Sequence, residues 1–195
     1  MKEYFKGGNM LNPVPAVMVS SGDMEKSNIV TVAWCGNVCT NPPMLYISLR
    51  PERYSYEIIK EKKEFVVNLV TKDLTFACDY CGVKSGRDID KFKMTKLTKL
   101  ESRFVKAPSI AESPVSIECR VNKIIDFNDS DVLHSHHMIL ADILGVTVDK
   151  ELLDEKGRFN LDKAGLISYS HGEYYALGEY LGKFGYSIAK KNKKK

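Results

Sequence analysis

No run of apolar residues in the chain approaches the roughly 18 that a membrane-spanning helix requires, so no span is predicted. The opening stretch, MKEYFKGGNMLNPVP, has neither an apolar core nor a small-residue cleavage pattern. No secretory leader is therefore expected, and a cytoplasmic location follows as the default. The glycine patterns of P-loops and of dinucleotide folds are both missing. The G-x-S-x-G turn of serine hydrolases is missing too. Cysteine is scarce and odd in number, at five. In a cytoplasmic chain that argues against a disulfide framework and leaves core thiols, metal ligands or redox groups. No internal repeat and no linker interrupts the sequence.

A charge imbalance is also nearly absent. The net charge is +4, yet five of the 29 basic residues fall in positions 190–195. The remainder is close to neutral, with no basic stripe interleaved with aromatics, so nucleic-acid binding is not expected. The lysine-rich end reads as a solvated, disordered tail. Residues 1–189, with 44% hydrophobic and 28% charged residues overall, fit one globular domain of ordinary size.

What the chain does have is strand signal. PAVMVSS (15–21) and NIVTVAWCG (28–36) are rich in β-branched and aromatic residues and are joined by SSGD. MLYISLR (44–50) follows the prolines of TNPP, which mark a connection because proline cannot sit inside a central strand. The close spacing predicts a meander. SYEIIKEKKE (55–64) predicts a helix with Ser55 as N-cap, and FVVNLV (65–70) a strand buried on both faces. A second helix is predicted over 72–81, ending at Gly82, followed by a polar, basic loop. Strands are predicted over 114–127 and 137–149. In the former, Ser116, Glu118, Arg120 and Asn122 alternate with apolar residues and predict a wet face. The fold class is mainly β with flanking helices, a β-barrel.

The candidate chemistry begins at TVAWCGNVCTNPP (31–43), which holds the single tryptophan, Trp34. Cys35-x3-Cys39 and Cys78-x2-Cys81 offer four thiols at zinc-like spacings, and HSHH (134–137) clusters three histidines. Against zinc, sulfurs four residues apart on a continuous strand would stand about 13 Å apart, and free cysteine most often packs in a core. A thiol redox pair in CDYC lacks the usual strand context, and Asp79 would raise the thiol pKa values. Two other segments favour an anion. SLRPERYS (48–55) sets Arg50, Arg53 and Ser55 before a helix N-terminus, where free N–H groups and the helix dipole attract negative charge. KSGRDIDKF (84–92) adds Ser85, Arg87 and Lys91. Together they point to a phosphate-bearing ligand.

These segments carry a family likeness. NPVPAVMVSS, NIVTVAWCGNVCTNPPMLYISLRPERYSYEII, FVVNL, SGRDIDKF, HSHHMILADILGVTVD and GEYYALGEYLGKFGYS, in that order, resemble the flavin reductase-like FMN-binding proteins, and the flavoredoxin branch in particular. The resemblance implies an FMN-binding split β-barrel, normally a homodimer with FMN at or near the interface. It implies that Asn28 and Thr31, Val32, Ala33 and Trp34 line the isoalloxazine and ribityl region. It assigns Ser48, Arg50, Arg53, Ser55 and Lys91 to the ribityl and phosphate side. His136 matches a family histidine near the flavin, and Tyr169 an aromatic near the ring. His134 stands where a glycine is usual, and His137 adds a further imidazole.

The reaction implied is hydride transfer from NAD(P)H to FMN and onward to an acceptor, with no dedicated catalytic acid or base. The alternatives are a flavoredoxin-like FMN electron carrier without NAD(P)H activity, whose partner is a redox protein, and a zinc-stabilised binding module.

Overall fold

The structure is a computed structural model that describes residues 1–127 and 134–188; the tail expected at 190–195 lies outside them. In chain order the strands and helices are β1 (Val14–Pro15), β2 (Val17–Gly22), β3 (Ser27–Val32), β4 (Cys35–Thr40), β5 (Pro43–Leu49), α1 (Tyr54–Lys62) and β6 (Glu64–Leu69). Then come α2 (Thr75–Val83), α3 (Lys91–Thr95), β7 (Lys99–Leu100), β8 (Ser109–Ile110), β9 (Val115–Asp126), β10 (His137–Val148), β11 (Ile167–Ser170) and β12 (Glu173–Ala176). Short 3-10 turns punctuate the connections.

Seven strands form one antiparallel sheet in the order β3-β2-β6-β9-β10-β5-β4. Its two edges, β3 and β4, are consecutive in sequence and separated only by Ala33 and Trp34. A link that short can join opposite edges only if the sheet curls until they meet, and this closes the barrel. The backbone N–H of Ser48 donates to the carbonyl of Trp34 at 2.8 Å, which carries the β4–β5 pairing into the corner. The predicted meander is therefore corrected. β2–β3 and β4–β5 are hairpins, but the strand predicted over 28–36 breaks at Ala33–Trp34 and its halves lie on opposite edges.

Both faces of the first strands are covered. Val17, Val19, Val30, Val32, Ile47 and Phe65 fill the barrel interior. Ala16, Met18 and Ile29, one residue out of phase, pack outside against Ala77, Cys78 and Cys81 of α2 and Phe92 of α3. That is why Ala16 to Val19 read as an unbroken apolar run. β6 is buried over Phe65–Asn68, as its sequence predicts. The amide of Asn68 donates to the Met18 carbonyl and Ser20 Oγ at 3.0 Å, and its Oδ1 accepts from Ile110 N and Ser116 Oγ.

Three local expectations are revised. The face of β9 predicted to be wet is buried at Ser116 and Glu118, because the 101–108 loop packs over it. The Glu118 carboxylate accepts from the backbone N–H groups of Arg103 and Phe104, so the burial leaves no orphaned charge. The segment read as a basic loop contains α3, whose N-cap Asp90 accepts from Lys93 N at 3.1 Å. Helix α2 runs through Gly82 to Val83. A Cβ on Gly82 would lie 3.2 Å from the Thr31 Cβ, so this glycine permits close helix–strand packing instead of ending the helix.

Candidate functional site

Where the barrel closes, the outer edge of β3 faces the C-terminal half of α2 and the start of α1. The Ile29 carbonyl accepts from Lys91 and so points away from β2. Backbone groups alternate in direction along an antiparallel strand, and those of Thr31 point outward as well. An unpaired strand edge thus borders a cleft made of two cavities, about 270 Å³ and about 400 Å³, which share Arg50, Arg53 and Val83 in their walls.

All twelve residues singled out in the sequence line these two cavities. Asn28, Arg50, Arg53, Ser55 and Lys91 surround the smaller one; Thr31, Val32, Ala33, Trp34, Ser48, His136 and Tyr169 line the larger, together with the shared arginines. Strand β3, the corner after it, the end of β5, the start of α1, α3, the approach to β10 and β11 converge there, from Asn28 to Tyr169.

The smaller cavity is built for negative charge. Helix α1 begins at Tyr54, with Arg53 preceding it and offering no side-chain cap; the Tyr56 N–H donates to the Arg53 carbonyl at 2.9 Å, which leaves those of Tyr54 and Ser55 at the helix start without intrahelical acceptors. Ser55 is not the N-cap expected; it is the second helical residue. Its buried Oγ accepts from Asn28 Nδ2 at 2.8 Å, which ties the helix start to β3. The Arg53 guanidinium donates to the Gly82 carbonyl at 3.1 Å. Lys91 is buried, and its ammonium donates to the carbonyls of Ile29 and Cys81, both at 2.7 Å. Burial lowers its pKa to about 8. Its first role is therefore a bracket between β3 and α2. Arg87 is engaged elsewhere, donating to the Glu52 carbonyl and pairing with Glu57 at 2.5 Å.

The larger cavity is aromatic. The rings of Trp34 and His136 lie 4.5 Å apart at 37°. Burial, reinforced by Arg50, lowers the His136 pKa, which favours the neutral imidazole. Thr31 Oγ1 donates to the Cys78 carbonyl. Tyr169 packs on Tyr174 at 5.3 Å between centroids, and the Tyr174 hydroxyl donates to Asp79 at 3.2 Å.

Of the other two histidines of HSHH, His137 lies away from the cleft and His134 lines the smaller cavity. His137 turns away to Asp126 and the Tyr56 hydroxyl, at 3.3 and 2.8 Å. His134 pairs with Glu52 on the rim and has φ of +65°. That left-handed conformation is the reason glycine suits its position. The cysteines are dispersed. Cys78 and Cys81 are buried under α2, Cys35 packs against the barrel core, and Cys39 is exposed. Burial pushes Cys35 and Cys78 up to about 12 and Cys81 to about 11. Among the described residues no cluster of three or more His, Cys, Asp or Glu could hold a metal ion.

Sequence reasoning left out Asp79, Gly82, Val83, Gly86 and Tyr174 as wall residues. Gly86 carried a signal in retrospect: it follows Ser85 in a basic loop, and a Cβ there would lie 2.0 Å from Asn28 Oδ1.

A split barrel with an anion-binding helix start and an aromatic chamber defines a class, and the comparisons agree. The family described as "Flavin reductase like domain" matches residues 10–178, and the chain belongs to that family. An uncharacterized protein of Archaeoglobus fulgidus is 33% identical over 150 residues, covering 77% of this chain and 81% of the relative. The solved flavoredoxin of Desulfovibrio vulgaris (Miyazaki F) is 29% identical, with a TM-score of 0.86 over 97% of this chain and 100% of its own. The flavoredoxin from Methanosarcina acetivorans is 25% identical, with a TM-score of 0.82 over 96% and 100% of the two chains.

Proposed function

We propose that the chain is an FMN-binding oxidoreductase that takes reducing equivalents from NAD(P)H and passes them to an acceptor. The observation that carries this reading is the polarity of the cleft, from a cationic helix start at one end to an aromatic chamber against an open strand edge at the other. The donor set fits FMN. Arg50, Arg53 and the first turn of α1 hold the phosphate, with Ser55 and the Lys91 charge close by. Asn28 and Ser48 face the ribityl chain. Thr31 to Trp34 offer backbone and side-chain contacts to the ring, and Tyr169 closes that end.

When bound, this group supplies two-electron redox chemistry, with hydride entering from NAD(P)H and electrons leaving to the acceptor. The protein's part is to orient and to exclude water. His136, packed against Trp34, presents a hydrogen-bonding imidazole to the chamber, and its lowered pKa favours the uncharged form.

The reading is tested by adding NADH or NADPH to the FMN-loaded protein without oxygen and following the flavin's visible absorbance. Bleaching with either nucleotide is expected. If neither bleaches a bound flavin, the activity is refuted and an electron carrier remains. That second reading, with a redox protein as partner, is favoured by the likeness to two flavoredoxins across nearly their whole length. In either case we propose a cytoplasmic protein, one domain over residues 1–189, acting as a homodimer.

A further inference from the structure

A third cavity, of about 470 Å³, lies on the far side of Trp34. It meets the larger chamber of the cleft only at Ala33, Trp34 and Tyr169. His136 packs against Trp34 in that chamber, the rings tilted at 37°, whereas Tyr46 belongs to this cavity alone. Trp34 is thus a partition with a ligand chamber on each side.

The walls have a definite chemistry. Tyr46 is held flat across the strand pair, since it stands opposite Gly36 and a Cβ on that glycine would lie 3.1 Å from its ring. Trp34, Tyr46 and Tyr169 supply three aromatic walls, and the 8–12 segment, with Met10, Leu11 and Asn12, forms the fourth. No Lys, Arg, Asp or Glu occurs among the described residues that line it, and His171 is its one imidazole. A phosphate-bearing nucleotide would find no counter-charge there. The cavity suits a neutral planar ring, which stacks on aromatic walls, with Asn12, His171 and the Tyr46 hydroxyl at hand for oxygen atoms.

We propose that this cavity binds a neutral aromatic electron acceptor of the quinone class, placed beside the redox site by the Trp34 partition. The acceptor role rests on the reading of the neighbouring cleft as an FMN site; the binding site itself does not. The overall exchange converts NAD(P)H, a proton and the quinone into NAD(P)+ and the hydroquinone. The quinone gains two electrons and two protons, one proton arriving with the hydride and one from solvent.

The test uses the full chain and duroquinone, whose ring carbons are all substituted and do not alkylate the exposed Cys39. Trp34 is the only tryptophan, so its emission reports on this partition. In the flavin-free chain duroquinone should quench it saturably. Tyr46→Ala should weaken that binding about tenfold or more. Leu11→Glu, at an exposed rim position that poses no folding risk, should do likewise by placing a charge at the mouth. Both variants should keep wild-type FMN affinity, and equilibrium dialysis should find duroquinone still bound when FMN is saturating. Unsaturable quenching, as when a second copy of the chain covers the cavity, would overturn the proposal. So would wild-type binding in both variants, or displacement by FMN. Failure to bind FMN at all would remove the redox reading while leaving the duroquinone titration to decide the cavity.

Discussion

Lys91 shows how one side chain can hold the fold and serve the site. Its ammonium is buried, bracketing β3 and α2 through two carbonyls, and desolvation brings its pKa to about 8 from about 10.5. Between those values the unfolded chain binds the extra proton, so this group makes stability rise as pH climbs from about 8 to about 10.5. Lys91→Met should abolish that rise in urea unfolding followed across the interval. The same titration predicts that FMN affinity falls as pH passes through about 8, because the phosphate end then loses a positive charge. Arg53→Ala should weaken FMN binding by about 1.5–3 kcal/mol, the worth of a charge-assisted contact, as read by flavin titration. Unchanged affinity would mean that the phosphate sits elsewhere. Arg53 was visible in the sequence as a charge before a helix start, and Lys91 as a charge in a glycine-containing loop. That one of them is buried and tied to carbonyls was not, because a lysine in a loop-like segment reads as solvated.

At the level of elements, the site depends on how closely α2 and the loop after it approach β3. Gly82 and Gly86 mark two such approaches, to Thr31 and to Asn28. Gly86→Ala would drive a Cβ into the Asn28 amide at 2.0 Å and break its bond to Ser55. We expect a loss of about 1–3 kcal/mol in urea unfolding, the usual cost of overpacking, together with weaker FMN binding. A stability equal to wild type would show that the loop yields freely. The strands themselves were legible, since alternation and β-branching mark them locally. The break at Ala33–Trp34 was not, because both halves of 28–36 keep strand-like residues and only closure of the barrel forces the corner.

At the scale of the whole molecule, the chain past β12 leaves Leu177, Leu181, Phe184 and Ile188 exposed. The homodimer proposed above accounts for such a surface. Sedimentation should give twice the chain mass, and ending the chain after Ala176 should reduce that association; a monomeric full-length chain would refute it. Local sequence determined the strand-rich class, the doubly buried β6, and the cationic entry to α1, because periodicity and residue type act over a few neighbours. Only the tertiary structure decided that β3 and β4 become opposite edges of one curled sheet, that Lys91 is buried between β3 and α2, and that Trp34 lines two chambers. Those outcomes depend on contacts between segments tens of residues apart, set by closing the barrel and packing helices on its outer face, and no local pattern records them.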